Sequence, residues 1–556
     1  MGTLTCGLVS FIRLPMTNIY RRIETTRFIP VLSGQVHNNK NEHVNKEDVP
    51  IIRFPVALKR KINKRNIKQQ KRSRKGVSLL KLAKPGKLLI SSSDKDTSMY
   101  TNEFITKFQP PVLSSSTWTS HRSPGRSFKI HSNMENPSFK EEFSSFNDLL
   151  LDTEILQALR LNGLDRPTVI QAKSIPSILK GNNVMFAAET GSGKTFAYLL
   201  PIIHKLMRSK AEGGGDQVFV SPKALILTPT KELSQQVLRM ALSLKLPIQV
   251  ASTESIGKTD FNVDLMVSTP VPLINSLKRR KFELGNIEFV VLDECDTLLD
   301  DSFANKMQHI LSRFNITSGK KSPILSPQSA QLILCSATFP SYASDALDDI
   351  ISMEEIDCIK SGYLHRVSPH VTHNFMRVKP SEKISEMVAL LNKPDRGPVM
   401  VFCNTRHSVR QVIKSLHENG IAALSVNGSM HTKDRYSTLQ QFQAGTDDVL
   451  VSTDVASRGL DTKQVKHVIN YEVPSNVSDY IHRCGRVGRV GQTHAGVVTS
   501  LVSRKWEVPV VMKIEEAARR RNVISGVSAN IKGAHEHRWA QAKLEEDIAE
   551  EIHDAY

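Results

Sequence analysis

Cysteine is scarce and scattered: six residues in 556, with no C-x-x-C pair among them. That spacing speaks against a zinc site and against a disulfide framework, and it suits a reducing compartment. No stretch approaches the roughly 18 unbroken apolar residues that a membrane span needs, so the chain reads as soluble, with no membrane partner. Acidic side chains are missing from residues 1–23, which carry Arg13, Arg21 and Arg22 among apolar and hydroxyl residues. This composition suits a mitochondrial transit peptide over about residues 1–30, shortened as a helix by Pro15.

Basic charge is plentiful but unevenly placed. Residues 1–140 hold 26 Lys and Arg against 8 Asp and Glu, so nearly all of the net charge of +19 lies in the first quarter. The segment 59–75 has Lys or Arg at 10 of 17 positions, a pattern fitting an RNA-binding arm, a nuclear localisation signal or a solvated tether. Residues 76–135 are rich in Ser, Pro and Thr without a sustained period, so the extension 31–139 is expected to be largely disordered.

From about residue 140 short apolar, β-branched runs alternate with helical-length segments. One series comprises 184–188, 224–228, 265–268, 289–292 and 332–335; a second comprises 398–403, 422–426, 448–452, 467–470 and 496–501. Continuous apolar strands between helices predict parallel sheets buried on both faces. The expected layout is an α/β domain over 140–358, a linker over 359–380, a second α/β domain over 381–525 and a tail over 526–556. The C-terminal part carries a helical pattern over 513–521, basic at its end, and then the acidic run Leu544-Glu-Glu-Asp-Ile-Ala-Glu-Glu551.

Ala188-Glu189-Thr190-Gly191-Ser192-Gly193-Lys194-Thr195 follows a strand and opens a helix. Backbone N–H groups and a helix N-terminus there would face phosphates, with Lys194 neutralising charge and Thr195 holding Mg²⁺. About 100 residues later an apolar strand delivers Asp293 and Glu294 to its end, where ligands of open α/β sheets bind. Asp293 is the candidate metal ligand, and Glu294 the group that orients or deprotonates water.

Leu292-Asp-Glu-Cys-Asp296 resembles motif II of the DEAD-box RNA helicases in its DECD spelling, and the other motifs follow in order. Gly163–Gln171, with Phe146 upstream, is similar to the Q motif, which implies that Gln171 reads adenine while Phe146 packs near the base. Pro229-Thr230-Lys231 resembles motif Ia, and Ser336-Ala-Thr338 resembles motif III, which together with Asp296 would couple nucleotide state to domain closure. Asn404 lies in a match to motif IV. Thr453, Arg458, Gly459 and Asp461 lie in motif V, and His482, Arg486 and Arg489 in motif VI. The resemblance implies two tandem RecA-like domains, ATP and Mg²⁺ as cofactors, and catalysis by Glu294, Lys194, His482, Arg486 and Arg489. It also implies RNA contacts from Pro229, Thr230, Lys231, Thr269, Asn404, Arg435, Thr453 and Arg458. Two arginines spaced three apart share a helical face and could reach a γ-phosphate across a closing cleft.

Departures from the pattern fall mainly on the RNA side. Ala188 replaces the first glycine of the phosphate loop, Leu164 an aromatic of the Q motif, and Lys231 an arginine. The TPGR element reads Thr269-Pro-Val271-Pro272, and QxxR reads Thr432-x-x-Arg435; Lys278, Arg279 and Arg280 could replace some of the lost charge. The expected activity is ATP-dependent RNA strand separation, with an ATP-gated RNA clamp or assembly factor as the alternative. A transit peptide joined to this motif set resembles the family branch linked to mitochondrial ribosome assembly. That resemblance implies ribosomal RNA and ribonucleoprotein intermediates as partners, and the mitochondrial matrix as location, with the nucleus open through 59–75.

Overall fold

The computed structural model describes residues 89–94, 110–132, 145–211, 221–255, 263–281, 283–300, 303–318, 329–338, 347, 349–368, 370–394, 396–454, 464–489 and 496–527. The expected transit peptide, the basic segment 59–75 and the acidic end of the tail lie outside the described residues.

Two sheets form, and the central strands of each are apolar and buried on both faces. The strands in chain order are β1 (Leu89–Ser92), β2 (Ser127–His131), β3 (Asn183–Ala187), β4 (Ala224–Leu227), β5 (Val250–Ser252), β6 (Leu265–Ser268), β7 (Phe289–Asp293) and β8 (Asn315–Ile316). They continue as β9 (Ser329–Ser336), β10 (Ile356–Lys360), β11 (Val371–Arg377), β12 (Val399–Phe402), β13 (Leu424–Val426), β14 (Val449–Ser452), β15 (His467–Asn470) and β16 (Gly496–Val502). The first sheet runs β10-β3-β9-β7-β4-β6-β5, with β8 beside β9. All its pairings are parallel, which requires the intervening helices to cover both faces. Every residue of β3, β4, β6 and β7 is buried. The active-end residues therefore emerge from strands whose interiors tolerate only apolar side chains.

The second sheet runs β1-β2-β11-β16-β15-β12-β14-β13. Here the structure corrects two boundaries. Residues 371–377, expected as linker, form β11 in full parallel register with β16, while 356–360 pair with β3 in the first sheet; the chain leaves the first sheet after Lys360 and enters the second at Val371. The alternation of buried and half-buried side chains along β11 is a two-residue period that two flanking prolines obscured.

The larger correction concerns the extension. Residues 89–94 and 110–132, read as part of a disordered segment, are folded onto the second domain. β1 and β2 form an antiparallel pair, and β2 pairs antiparallel with β11, Phe128 opposite Phe375. Ile90, Trp118, Phe128 and Ile130 join the second domain's core. The turn Ser114–Thr117 sits on the helix Val508–Arg520, where buried Glu515 accepts bonds from Ser114 N (2.7 Å), Ser115 N (3.0 Å) and Ser115 Oγ (2.5 Å). Arg519 balances that carboxylate at 2.7 Å. A hydroxyl-rich run carries no hydrophobic period, yet its donors satisfy a buried anion.

Candidate functional site

β3 hands the chain to the loop Ala188–Thr195 and the helix Lys194–Ala211. Lys194 Nζ donates to the carbonyls of Ala188 (2.8 Å) and Glu189 (3.0 Å), so the loop curls around its own lysine. Gly193 has φ of +87°, and a Cβ there would stand 2.5 Å from Gln171 Nε2; glycine satisfies both constraints. Gln171 Nε2 donates to Gly193 O (3.0 Å), and its Oε1 accepts from Thr168 N (2.9 Å) as half of a capping box. The residue expected to read adenine thus braces the phosphate loop as well. Phe146 is buried in the first domain's core, on which Leu164 also packs.

β7 ends at Asp293, 4% exposed. Its carboxylate accepts from Tyr198 Oη (2.8 Å), Glu294 N (3.0 Å) and Cys335 Sγ (3.3 Å). Burial pushes its pKa up, opposed by these bonds and by the charge of Lys194. The Thr195 hydroxyl bonds Tyr198 as well, so Tyr198 joins the two residues expected to hold a metal. Glu294 adopts φ 54°, ψ 50°, a left-handed conformation that costs a non-glycine residue of order 1–3 kcal/mol and gathers at functional sites. Asp296 accepts from Thr338 N (3.1 Å) and Thr338 Oγ1 (2.5 Å), and Ser336 Oγ also accepts from Thr338 N (3.1 Å).

The helix Val477–Cys484 brings the second domain's contribution. His482 Nε2 lies 3.7 Å from Asp296 Oδ2. The backbone of Gly485 lies against the Thr190 side chain, and the stem of Arg489 covers Gly191. Arg486 is 3% exposed. Arg483 is buried and bidentate to Asp454 (2.5 and 2.7 Å), and it also donates to Asn404 Oδ1 (2.7 Å) and Glu472 O (2.6 Å). Arg458, Gly459 and Asp461 lie outside the described residues.

The residues expected to touch RNA are less open. Thr230 caps the helix Lys231–Ser243, accepting from Leu233 N at 3.3 Å. Lys231 Nζ pairs with Glu254 Oε1 at 2.5 Å. Arg435 Nε reaches Glu232 Oε1 of the other domain at 2.6 Å. Asn404 turns inward to Arg483, and Thr453 is 8% exposed. Pro229 is partly buried before that helix, and Thr269 starts the helix Pro270–Lys278, leaving Val271 exposed. Sequence reasoning missed Tyr198, Cys335, Glu232 and the Arg483–Asp454 pair. Tyr198 had a signal: it follows Thr195 by three and Lys194 by four, on one helical face. The others are set by strand register and domain contact, which spacing does not carry.

Known proteins resemble this chain in sequence and in fold. The family model "DEAD/DEAH box helicase" matches residues 168–346, and "Helicase conserved C-terminal domain" matches 382–491. The chain is 36% identical over 513 residues to the Homo sapiens protein "Probable ATP-dependent RNA helicase DDX28", covering 87% of this chain and 93% of that protein. It is 32% identical over 405 residues to Arabidopsis thaliana "DEAD-box ATP-dependent RNA helicase 39", covering 70% and 64%. Among solved structures, S. cerevisiae Dbp5 bound to RNA and ADP BeF3 superposes with a TM-score of 0.56 at 24% identity, covering 67% of this chain and 93% of that one. Mss116 bound to ssRNA and UDP-BeF gives 0.57 at 24%, covering 69% and 80%.

Proposed function

The chain belongs to the DEAD/DEAH box helicase family and is an ATP-dependent RNA helicase, and from that premise we propose how its own residues divide the work. The observation that carries the reading is the meeting of His482 with Asp296 across the domain boundary, 3.7 Å apart, while Asp296 also holds Thr338. It supports a coupling chain from the second domain through the carboxylate strand to the Ser336–Thr338 turn.

In this reading the backbone of 188–195 cradles the phosphates, Lys194 leaves its loop carbonyls to neutralise them, and Gln171 selects adenine. Glu294 orients the attacking water and takes its proton as the bond to the γ-phosphate breaks. Arg486 and Arg489 steady the charge on the transferring group. Magnesium would be held by Asp293 and Thr195, where it supplies positive charge against the triphosphate. The donor set fits: Asp293 is a buried carboxylate bonded to the neutral donors Tyr198, Cys335 and a backbone N–H, a setting that favours a cation.

RNA would lie across both domains, held through its backbone. The ion pairs Lys231–Glu254 and Arg435–Glu232 favour a second reading, an ATP-gated clamp with little unwinding, because they occupy cations that would otherwise grip phosphates. The composition of residues 1–23 and the likeness to a family branch support action on ribosomal RNA and ribonucleoprotein intermediates in the mitochondrial matrix.

Steady-state ATPase activity of the full chain with and without single-stranded RNA, beside Glu294→Gln and with duplex unwinding in parallel, tests the reading. RNA-stimulated hydrolysis and unwinding that both vanish in the variant support it; stimulation without unwinding selects the clamp. A chain lacking residues 1–30 that still enters mitochondria would remove the targeting claim.

A further inference from the structure

The helix Pro270–Lys278 starts after Thr269 and ends in a run of four cations, Lys278, Arg279, Arg280 and Lys281. All four side chains are exposed, and among the described residues none of them makes an ion pair or a hydrogen bond. Glu283, the nearest carboxylate in sequence, is exposed as well and pairs with none of them. The negative end of a helix favours a cation in its last turn, which accounts for one or two of these residues. It does not account for four adjacent like charges without a counter-ion.

The backbone adds an independent observation. Arg280 N donates to Leu277 O (3.0 Å) and Lys281 N to Ser276 O (3.2 Å). These two bonds make a Schellman ending, with Arg280 in its left-handed position at φ 49°. Glycine is the residue this position favours, because a Cβ is strained there. The arginine therefore costs stability at the one turn position where glycine would be free of strain, and in exchange it keeps the charge run unbroken.

We propose that residues 278–281 form a second RNA-binding surface, which holds the phosphate backbone of RNA that extends past the groove between the domains. The proposal rests on the reading of the chain as an RNA helicase and adds to it a contact outside the residues assigned to the groove. At 1.5 Å per residue, the nine-residue helix sets the cluster about 14 Å from Thr269, which that reading places against RNA. A membrane surface fits less well, since no large apolar side chain over 273–281 is exposed for insertion. The cluster lies wholly on the first domain, so it would keep hold of RNA while the second domain opens. It also supplies charge near the Thr269-Pro-Val271-Pro272 element, which carries no arginine of its own.

The test is anisotropy binding by the full chain, with a non-hydrolysable ATP analogue present. The probes are a short single-stranded RNA confined to the groove and the same strand extended by a duplex. Arg280→Gly and the triple variant Lys278→Gln/Arg279→Gln/Lys281→Gln are compared with the unaltered chain. The short strand should bind all of them alike. The extended RNA should lose about five- to eightfold in affinity per missing contact near 0.1 M salt, and its log–log salt slope should flatten by about 0.7–0.9 per contact. Arg280→Gly should meanwhile raise the first-domain melting point by roughly 2–4 °C, a gain that separates a surface kept for binding from a helix end kept for stability. Extended RNA bound equally by every variant overturns the proposal, as does an Arg280→Gly chain that melts lower. So does a loss seen only on phosphatidylserine vesicles, which would assign the surface to a membrane. An unaltered chain that fails to bind even the short strand would remove the RNA-helicase reading itself, and the proposal with it.

Discussion

Replacing Trp118 with alanine should selectively loosen the second domain. The indole is fully buried, its ring 5.5 Å from Phe128, which stacks on Phe375 at 4.7 Å; Phe375 in turn lies 6.0 Å from Tyr480 on the helix that carries His482. The backbone carbonyl of Trp118 accepts from Arg377 Nε (3.0 Å) and Ser123 Oγ (2.9 Å), bonds that alanine keeps, so the perturbation is a lost side chain. Truncation of a large buried aromatic costs about 3–5 kcal/mol. At roughly 2–4 °C per kcal/mol for a domain of this size, the second-domain melting transition should fall by roughly 6–20 °C. Indole Nε1 is buried without a partner, which places the cost toward the lower end and makes Trp118→Phe milder than alanine, since most of the buried ring is kept. Calorimetry with hydrogen exchange on the two sheets would read the effect. A shift below about 2 °C for alanine, or one equally large in the first domain, would refute the claim that the N-terminal hairpin belongs to the second domain's core.

A chain beginning at residue 133 should show the same selective loss more severely, since it also strands Glu515 without Ser114 and Ser115; a chain beginning at residue 76 should melt as the full chain does. Glu294→Gln should lower hydrolysis by about 10²–10⁴-fold while nucleotide binding, measured by fluorescence, persists. Glu232→Ala, which frees Arg435, should tighten RNA binding in the presence of an ATP analogue, and adding Arg435→Ala should cancel that gain, with a coupling of about 0.5–3 kcal/mol in the double-mutant cycle; additivity would show that the pair does not compete with RNA. Burial lowers the pKa of His373 to about 3 and of His467 to about 4. The unfolded chain therefore takes up protons that the fold refuses: their stabilising effect is complete above pH 6.5 and is lost as pH falls. By pH 5 each costs the second domain about 2 kcal/mol, a sensitivity that urea titrations at pH 7 and 5 would reveal and that His467→Asn should reduce.

Much of this molecule was legible in its sequence. The first-sheet strands followed from apolar runs whose burial on both faces leaves little alternative, and β6 and β15 occupy the expected residues. The phosphate loop and the carboxylate strand were legible because Gly191, Gly193, Asp293 and Glu294 answer constraints local to a strand end. The hairpin was not, because β1 and β2 become strands only by pairing with β11, far away in sequence. Nor could spacing show that Arg435 meets Glu232 or that Asn404 faces Arg483, since both follow from how elements of different origin pack.

The hairpin also has a consequence for synthesis. Trp118 and its partner Arg377 are separated by 259 residues, and Ser114 and Glu515 by 401. At about 5–20 residues per second, a nascent chain waits roughly 13–50 s between making Trp118 and making the strand that receives it. The first domain can be complete and folded in that interval, while Ile90, Phe128 and Ile130 have no sheet to join. A ribosome-bound chain of this protein therefore presents an apolar N-terminal segment ahead of an already folded domain, a natural target for a holding chaperone until the C-terminal half emerges.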